Sequence, residues 1–112
     1  ARGPAYTAGV LPPTDAPMPV SRALVASNDA PRLVRTLANH WRHRFTVRRD
    51  DDTHAHVPFT EAGGADFQVE DGALRIRVVH EDAAGMAQLR GVIESHLQRF
   101  AREETLVFDW RD

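Results

Sequence analysis

The feature that most constrains the fold is the alternating segment ADFQVEDGALRIR at residues 65–77. Its central Asp71-Gly72 pair favours a two-residue turn, because glycine adopts positive φ without steric cost and aspartate tolerates it. Apolar side chains occupy alternate positions on either side of the turn, which is the period of a strand with one buried face. Pairing Glu70 with Ala73 gives the cross-strand pairs Val69–Leu74, Phe67–Ile76, Gln68–Arg75 and Asp66–Arg77. The sequence therefore predicts an antiparallel hairpin with one apolar face and one polar face.

A second pair of alternating segments precedes this hairpin. FTVRR at residues 45–49 and HAHVPF at residues 54–59 flank an aspartate run at residues 50–52. Pairing Arg49 with Thr53 gives the cross-strand pairs Val47–Ala55, Phe45–Val57, Arg48–His54 and Thr46–His56. This register separates apolar from polar side chains, and a slip of one residue would exchange the two faces. The four segments together predict a meander, preceded by a further strand near residues 20–26.

Two segments have the period of amphipathic helices. The first covers about residues 28–42, where Ser27 and Asp29 supply N-cap oxygens and Pro31 falls in the first turn. Its apolar stripe consists of Leu33, Val34, Leu37, Ala38 and Trp41. The second begins at residue 82 or 83 and ends near residue 102, and its stripe consists of Met86, Leu89, Val92, Ile93, Leu97 and Phe100. We expect both stripes to face the sheet.

The order of elements is strand, helix, four-strand meander, helix and strand, the last strand being an alternating segment at residues 104–110. This order predicts an α+β fold, a two-layer sandwich with a largely antiparallel sheet and both helices on one face. Residues 20–112 form this single domain in our prediction. Residues 1–19 hold five of the seven prolines, so we expect a flexible tail or linker there.

Composition excludes several classes of protein. The chain has 112 residues and a formal charge of −2, whereas a general nucleic-acid binder carries a basic excess. It has no cysteine, which removes disulfides, iron–sulfur clusters and thiolate zinc sites. No apolar run approaches the roughly 20 residues that span a bilayer, and no secretory signal is recognisable. We therefore predict a cytoplasmic protein without a cofactor, a nucleic-acid partner or a membrane partner.

Six histidines are the residues that could hold a metal, and the segment NHWRHRF at residues 39–45 carries His40 and His43. Their spacing supplies no further ligand, and a histidine near a helix end is stabilised by the carbonyl end of the helix dipole. Trp41 between them continues the apolar stripe of the first helix. His96 lies within the stripe of the second helix, which predicts an imidazole bonded to the backbone or to a neighbour. We predict no metal site, with a histidine-based metal-binding protein as an alternative.

His54 and His56 differ from the other histidines, because the strand period places both on the open face of the sheet, roughly 6.6 Å apart. The candidate ligand-binding residues on this face are Arg48, His54, His56, Arg75 and Arg77. The planar guanidinium groups of arginine suit carboxylate or catecholate oxygens, so the predicted partner is a small anionic ligand or an iron chelate. A solvated polar face or a dimer face explains the same pattern.

No catalytic motif accompanies these residues. The sequence contains no G-x-S-x-G elbow, no H-E-x-x-H pair and no phosphate-binding P-loop. We therefore predict no catalytic residues and favour a non-enzymatic role over an enzyme.

Short motifs distributed over about four-fifths of the chain carry a family resemblance. In order they are SNDA (27–30), NHWRHRF (39–45), VPF (57–59), DG (71–72), SHLQRFA (95–101), REE (102–104) and FDW (108–110). From about residue 20 to residue 110 the chain resembles the bacterial "domain of unknown function 2218" family. The family's recurrent histidine motifs fall here on His40, Trp41, His43, His96, Arg99 and Phe100. The connection at residues 60–64 and the proline-rich start depart from the family's pattern.

The resemblance implies no assigned reaction. Members of the family look like small stand-alone proteins or appendages of siderophore-interacting flavoproteins, which reduce and release iron from ferric chelates. Our first hypothesis is therefore a non-enzymatic accessory or ligand-binding domain in iron or siderophore handling. The alternative is a structural or interaction module that forms a homodimer, or docks a flavoprotein reductase, through the polar face.

Overall fold

Alternating segments of the sequence form one antiparallel sheet. The structure is a computed structural model that describes residues 19–51 and 53–112. Its strands are β1 (Val20–Ala26), β2 (Arg48–Asp51), β3 (His54–Thr60), β4 (Gly63–Glu70) and β5 (Ala73–His80). Its helices are α1 (Ala30–Trp41) and α2 (Ala83–Phe100). The strand order across the sheet is β1-β5-β4-β3-β2, and every neighbouring pair is antiparallel.

The hairpin of β4 and β5 has the predicted register. Glu70 lies opposite Ala73, and the four predicted cross-strand pairs are present. Gly72 in the turn has φ of +70°, a conformation that glycine adopts without steric cost. Nη1 of Arg77 lies 3.6 Å from Oδ2 of Asp66, as expected for opposite charges across a ladder. Pattern, turn chemistry and charge agree here, so local sequence was sufficient to predict this hairpin.

The register predicted for the first hairpin is wrong by two residues. Arg48 lies opposite His56 instead of opposite His54. The cause is the turn after α1, where the N–H of Phe45 donates to the carbonyl oxygen of Trp41 at 2.9 Å. Because this bond holds Phe45 at the helix end, the strand begins only at residue 48. The shift is an even number of residues, so both histidines of β3 keep the predicted face.

Both helices cover the same face of the sheet, α1 against β3 and β4, and α2 against β4 and β5. The core lies between the two layers, and its fully buried side chains include Leu33, Leu37, Phe67, Ile76, Ile93 and Leu97. Trp41 is only 3% exposed, and its ring makes an edge contact with Phe59 at a centroid distance of 4.8 Å. The predicted α+β sandwich is therefore confirmed.

The start of α1 differs in detail from the prediction. Asp29 is the N-cap residue, but its side chain makes no capping bond and pairs with Arg32 instead. Oγ of Ser27 accepts the N–H of Asp29 at 3.1 Å and donates to the carboxylate of Glu104 at 2.7 Å. The start of this helix therefore depends on a residue 77 positions further along the chain.

The segment at residues 104–110, predicted as the last strand, forms no strand in the described chain, and an isolated bridge lies just beyond it at Arg111. Its backbone is bound by the side chain of Gln98, which donates to the carbonyl oxygen of Glu104 at 2.9 Å and accepts the N–H of Leu106 at 2.8 Å. Further on, Arg111 exchanges two backbone hydrogen bonds with Arg22 of β1. The chain end thus covers part of the outer edge of the sheet.

None of the helices in the described residues is long and apolar enough to cross a membrane. The tail predicted at residues 1–19 lies outside the described residues, except for Pro19.

Candidate functional site

The open face of the sheet carries the candidate residues predicted from the sequence. One row across the five strands consists of Arg22, Arg77, Asp66, His56 and Arg48. The neighbouring row includes Arg75, Gln68 and His54. These side chains point away from the helices, so the antiparallel register collects them on one surface. We call this surface the polar face.

Asp66 is the centre of the polar face. Its Oδ1 accepts hydrogen bonds from Nε2 of His54 at 3.1 Å and from Nδ1 of His56 at 3.0 Å. Because a carboxylate oxygen only accepts, both imidazole nitrogens carry a proton in these contacts. Arg77 approaches the other carboxylate oxygen at 3.6 Å. Three of the five candidates therefore meet at one carboxylate, which the sequence had paired with Arg77 alone.

The other two candidates, Arg75 and Arg48, do not pair with Asp66. Nε of Arg75 is 2.5 Å from Oε2 of Glu70, and Nη2 is 3.1 Å from Oε1. This two-point hydrogen-bonded pair lowers the pKa of Glu70 and raises the pKa of Arg75. Arg48 is exposed and lies opposite His56 on the neighbouring strand. The five candidates share a face but do not converge on one point.

A second candidate site is a cavity that the sequence did not predict. It measures about 350 Å³ and lies between the end of α1, one side of α2 and the ends of β3 and β5. The histidines that line it are His40, His80 and His96, from three different elements. Three aromatic side chains, those of Trp41, Phe45 and Phe59, also line it. We call it the histidine–aromatic cavity.

A hydrogen bond to the backbone defines the tautomer of His96. Its Nδ1 lies 2.7 Å from the carbonyl oxygen of Val92, one turn earlier in α2. Since a carbonyl only accepts, the proton sits on Nδ1, and Nε2 of the neutral ring keeps its lone pair. The ring centroid is 5.1 Å from that of Trp41 and 5.1 Å from that of His40. Of the two partners predicted for His96, the backbone is the one it binds; the side chain is half-buried rather than buried, and the ring also forms part of the cavity wall.

A hydrogen bond from the backbone selects the opposite tautomer of His80. Its Nδ1 accepts the N–H of Asp82 at 3.1 Å, so in the neutral ring the proton sits on Nε2. The ring is buried in a slot between Gly63 and Gly85. A Cβ atom on Gly85 would lie 2.0–2.5 Å from three ring atoms, and one on Gly63 would lie 2.7 Å from Cδ2. Both glycines therefore leave the space that this imidazole occupies.

His40 is more exposed and lies at the rim of the cavity. Burial lowers the pKa of this imidazole, and the nearby His96, Arg99, Arg44 and His43 lower it further. His40 is therefore neutral at physiological pH. Apart from the histidines, Arg44 is the one ionisable side chain among the described residues that line the cavity, and none of those residues is a carboxylate.

The metal-binding alternative has no ready site in residues 19–51 and 53–112. No group of three or more histidine, aspartate or glutamate side chains there has an arrangement that could hold a metal ion. His43 is exposed beyond the end of α1 and does not line the histidine–aromatic cavity. His40 and His43 therefore face different surroundings, although they are three residues apart.

The cavity could not be predicted while each histidine was considered alone. The sequence did contain two signals in α2. His96 interrupts its apolar stripe, and Gly85 lies in its first turn, where alanine has the higher helix propensity. Gly85 has an explanation only when His80 is placed beside α2, and His96 only when the end of α1 is placed there. Distance in the sequence hides both contacts.

Comparisons with known proteins agree with this architecture. The profile of the family described as "uncharacterized protein conserved in bacteria (DUF2218)" matches residues 22–111. The chain belongs to this family. It is also similar to a solved structure, the NMR structure of PA4090 from Pseudomonas aeruginosa, with 25% identity and a TM-score of 0.69. That match covers 82% of this chain and 94% of the other. Among curated proteins no significant match is found.

Proposed function

We propose that this member of the DUF2218 family is a non-enzymatic domain that binds a small molecule in the histidine–aromatic cavity. The observation that carries the proposal is the cavity itself, a concave space of about 350 Å³ with aromatic walls and a few polar groups. Sites for small ligands typically measure roughly 300–1,000 Å³ and have this composition. By contrast, Arg77 and Arg75 of the polar face already pair with the carboxylates of Asp66 and Glu70.

The polar groups of the cavity suit recognition. In the neutral tautomers that the backbone bonds of their Nδ1 atoms select, His96 offers a lone pair on Nε2 and His80 offers a proton on Nε2. Fixed donors and acceptors of this kind orient a ligand, whereas aromatic walls supply most of the buried area. A binding role is favoured over catalysis, because none of the described residues that line the cavity is a carboxylate. The carboxylate of Asp82 lies 3.9 Å from Nδ1 of His80, but it accepts the N–H of Gly85 at the start of α2 and does not line the cavity.

The test is to titrate the protein with phenol, indole, benzamide or benzoate and to monitor the NMR chemical shifts of its backbone amides. We expect shifts confined to amides around the cavity, including those of Thr60, Val92 and His96. Gln88→Trp should abolish them, since Gln88 is exposed and lines the cavity mouth. Ala87→Trp is the matched control, because Ala87 is exposed on the same helix but does not line the cavity. Absence of localised shifts with all four ligands would remove the proposal.

A second candidate function is the binding of an anionic ligand, such as a ferric chelate, on the polar face. The specific observation is the row in which Arg22, Arg77 and Arg48 flank Asp66 and His56. The chelate itself rests on the family resemblance, and the family's description as an uncharacterized bacterial protein names no metal.

Ferric and iron-free siderophores, titrated under the same NMR conditions, test this second candidate. We expect shifts at Arg48, His54, His56, Arg75 and Arg77, and no change at these five positions would exclude it. Light scattering checks the interaction alternative. A stable dimer, or a complex with a co-encoded flavoprotein reductase, that is lost in Arg77→Glu would assign the polar face to protein docking instead.

A further inference from the structure

We infer that the histidine–aromatic cavity takes a planar aromatic anion, a ring of one or two cycles that carries a carboxylate. The inference rests on the proposed function and adds the chemical class of the ligand. Three independent features support it: the volume of the cavity, the nature of its walls and the sign of its charge.

The volume suits a ring with one substituent. A closed apolar cavity of about 150 Å³ is enough to hold benzene in a protein interior. The space here is about 350 Å³, which accommodates a single or fused ring together with a carboxylate. It is larger than a few ordered water molecules require, at roughly 30 Å³ each.

The walls suit an aromatic ring in particular. Phe59 makes edge contacts with Trp41 at 4.8 Å and with Phe45 at 5.2 Å between ring centroids. Both distances lie within the range of about 4.5–7 Å in which aromatic rings attract one another edge to face. A planar guest beside these three rings extends the same packing. Leu89 and Val92 of α2 complete an apolar wall.

The charge of the lining favours an anion. Arg44 forms no ion pair with a carboxylate in the part of the chain that the structure describes, and its guanidinium carbon lies 5.9 Å from the centroid of the Phe45 ring. A guanidinium beside an aromatic surface can bind a carboxylate through two parallel N–H groups. The pKa of His40 is lowered from its ordinary value, by desolvation first and then by the neighbouring histidines and arginines, so near pH 7 this imidazole adds hydrogen-bonding capacity rather than charge. Arg44 is therefore the anchor that we assign to the anionic group.

The imidazoles supply the remaining contacts. The Nε2–H of His80 can donate to a carboxylate oxygen, and the Nε2 lone pair of His96 can accept from a hydroxyl or ring N–H. A ligand with an anionic group and a ring donor would satisfy both. A purely aliphatic acid would use the cation and leave the aromatic wall without a planar partner.

The experiment compares three ligands of similar size. Benzoate is aromatic and charged, benzamide is aromatic and neutral, and cyclohexanecarboxylate is charged but not planar. We expect benzoate to bind at least about tenfold more tightly than either of the others, as measured by NMR titration of the cavity amides. Arg44→Gln should bring benzoate to the level of benzamide. Arg42→Gln should leave the difference intact, because Arg42 is exposed two residues away and does not line the cavity.

Each outcome separates this inference from the proposed function. Equal affinity for benzoate and benzamide would overturn the preference for an anion while the cavity remained a binding site. Equal affinity for benzoate and cyclohexanecarboxylate would overturn the preference for an aromatic ring in the same way. Full retention of benzoate affinity in Arg44→Gln would remove Arg44 as the anchor. If no ligand shifts the cavity amides of the wild-type chain, the inference and the proposed function both fail.

Discussion

Two glycines of α2 provide a test of the slot that holds His80. Gly85 lies in the first turn of the helix and Gly91 lies near its middle. Neither has a positive φ, so alanine is compatible with the backbone at both positions. Helix propensity alone predicts that Gly→Ala stabilises the protein at either site, by up to about 1 kcal/mol. The structure predicts opposite signs.

The difference comes from what an added methyl group meets. At Gly91 nothing lies within 4 Å of the new Cβ, so we expect the full gain from propensity. At Gly85 the Cβ would lie 2.0 Å from Cε1 and 2.2 Å from Nε2 of His80, well inside van der Waals contact. The ring cannot move toward Gly63, because Gly63 closes the other side of the slot.

His80 must therefore leave the slot or strain its surroundings when Gly85 becomes alanine. Overpacking of this kind costs about 1–3 kcal/mol, and loss of the bond from the Asp82 N–H costs about 1 kcal/mol more. Against a propensity gain of at most about 1 kcal/mol, we expect Gly85→Ala to destabilise the fold by about 1–3 kcal/mol. For a domain of this size each kcal/mol shifts the melting temperature by about 4–8 °C.

Urea unfolding followed by circular dichroism measures both variants. The decisive control is the same substitution in a His80→Ala background, where the space is already open. There Gly85→Ala should become neutral or stabilising by up to about 1 kcal/mol, which gives a coupling free energy of about 1–4 kcal/mol between the two positions. A Gly85→Ala variant as stable as Gly91→Ala would refute the slot, and so would a destabilisation that persists without the imidazole.

Three further predictions concern the segment at the end of α1. Trp41→Ala should cost about 3–5 kcal/mol in urea unfolding, because the ring is only 3% exposed and packs between helix and sheet. His43→Ala should cost well under about 1 kcal/mol, since the side chain is exposed, and zinc should leave the melting temperature unchanged in both wild type and variant; a zinc-dependent rise lost in His43→Ala would restore the metal alternative. The pKa of His40 is lowered in the folded state, so below its ordinary value of 6.5 the unfolded chain binds more protons than the folded one, and the free energy of unfolding should decrease as the pH is lowered. His40→Asn should reduce this pH dependence, and an unchanged slope would contradict the prediction.

The sequence alone determined those features of the fold that have local causes. The turn at Asp71-Gly72 follows from the conformational freedom of glycine, and the alternation on either side selects one register out of the neighbouring ones. The two helices and their buried stripes follow from a period of 3.6 residues. Once the faces are assigned, the five candidates Arg48, His54, His56, Arg75 and Arg77 must share the open face, whatever their contacts there.

Only the tertiary structure decided which of these residues meet. Asp66 binds both histidines of β3 because the register brings them to one oxygen, whereas Arg75 turns to Glu70 on its own hairpin. The register of the first hairpin differs by two residues from the predicted one, because a hydrogen bond at the end of α1 holds Phe45. Even shifts preserve faces, so the hydrophobic pattern could not distinguish the two pairings.

The histidine–aromatic cavity is decided entirely by tertiary packing. His40, His80 and His96 lie on three elements, and the layers must be assembled before the three rings surround one space. A binary pattern of apolar and polar residues records which face of each element is buried, but not the angle and depth at which two helices lie on a sheet. Voids arise where those packed surfaces fail to interlock, and that depends on the shapes of side chains far apart in the chain.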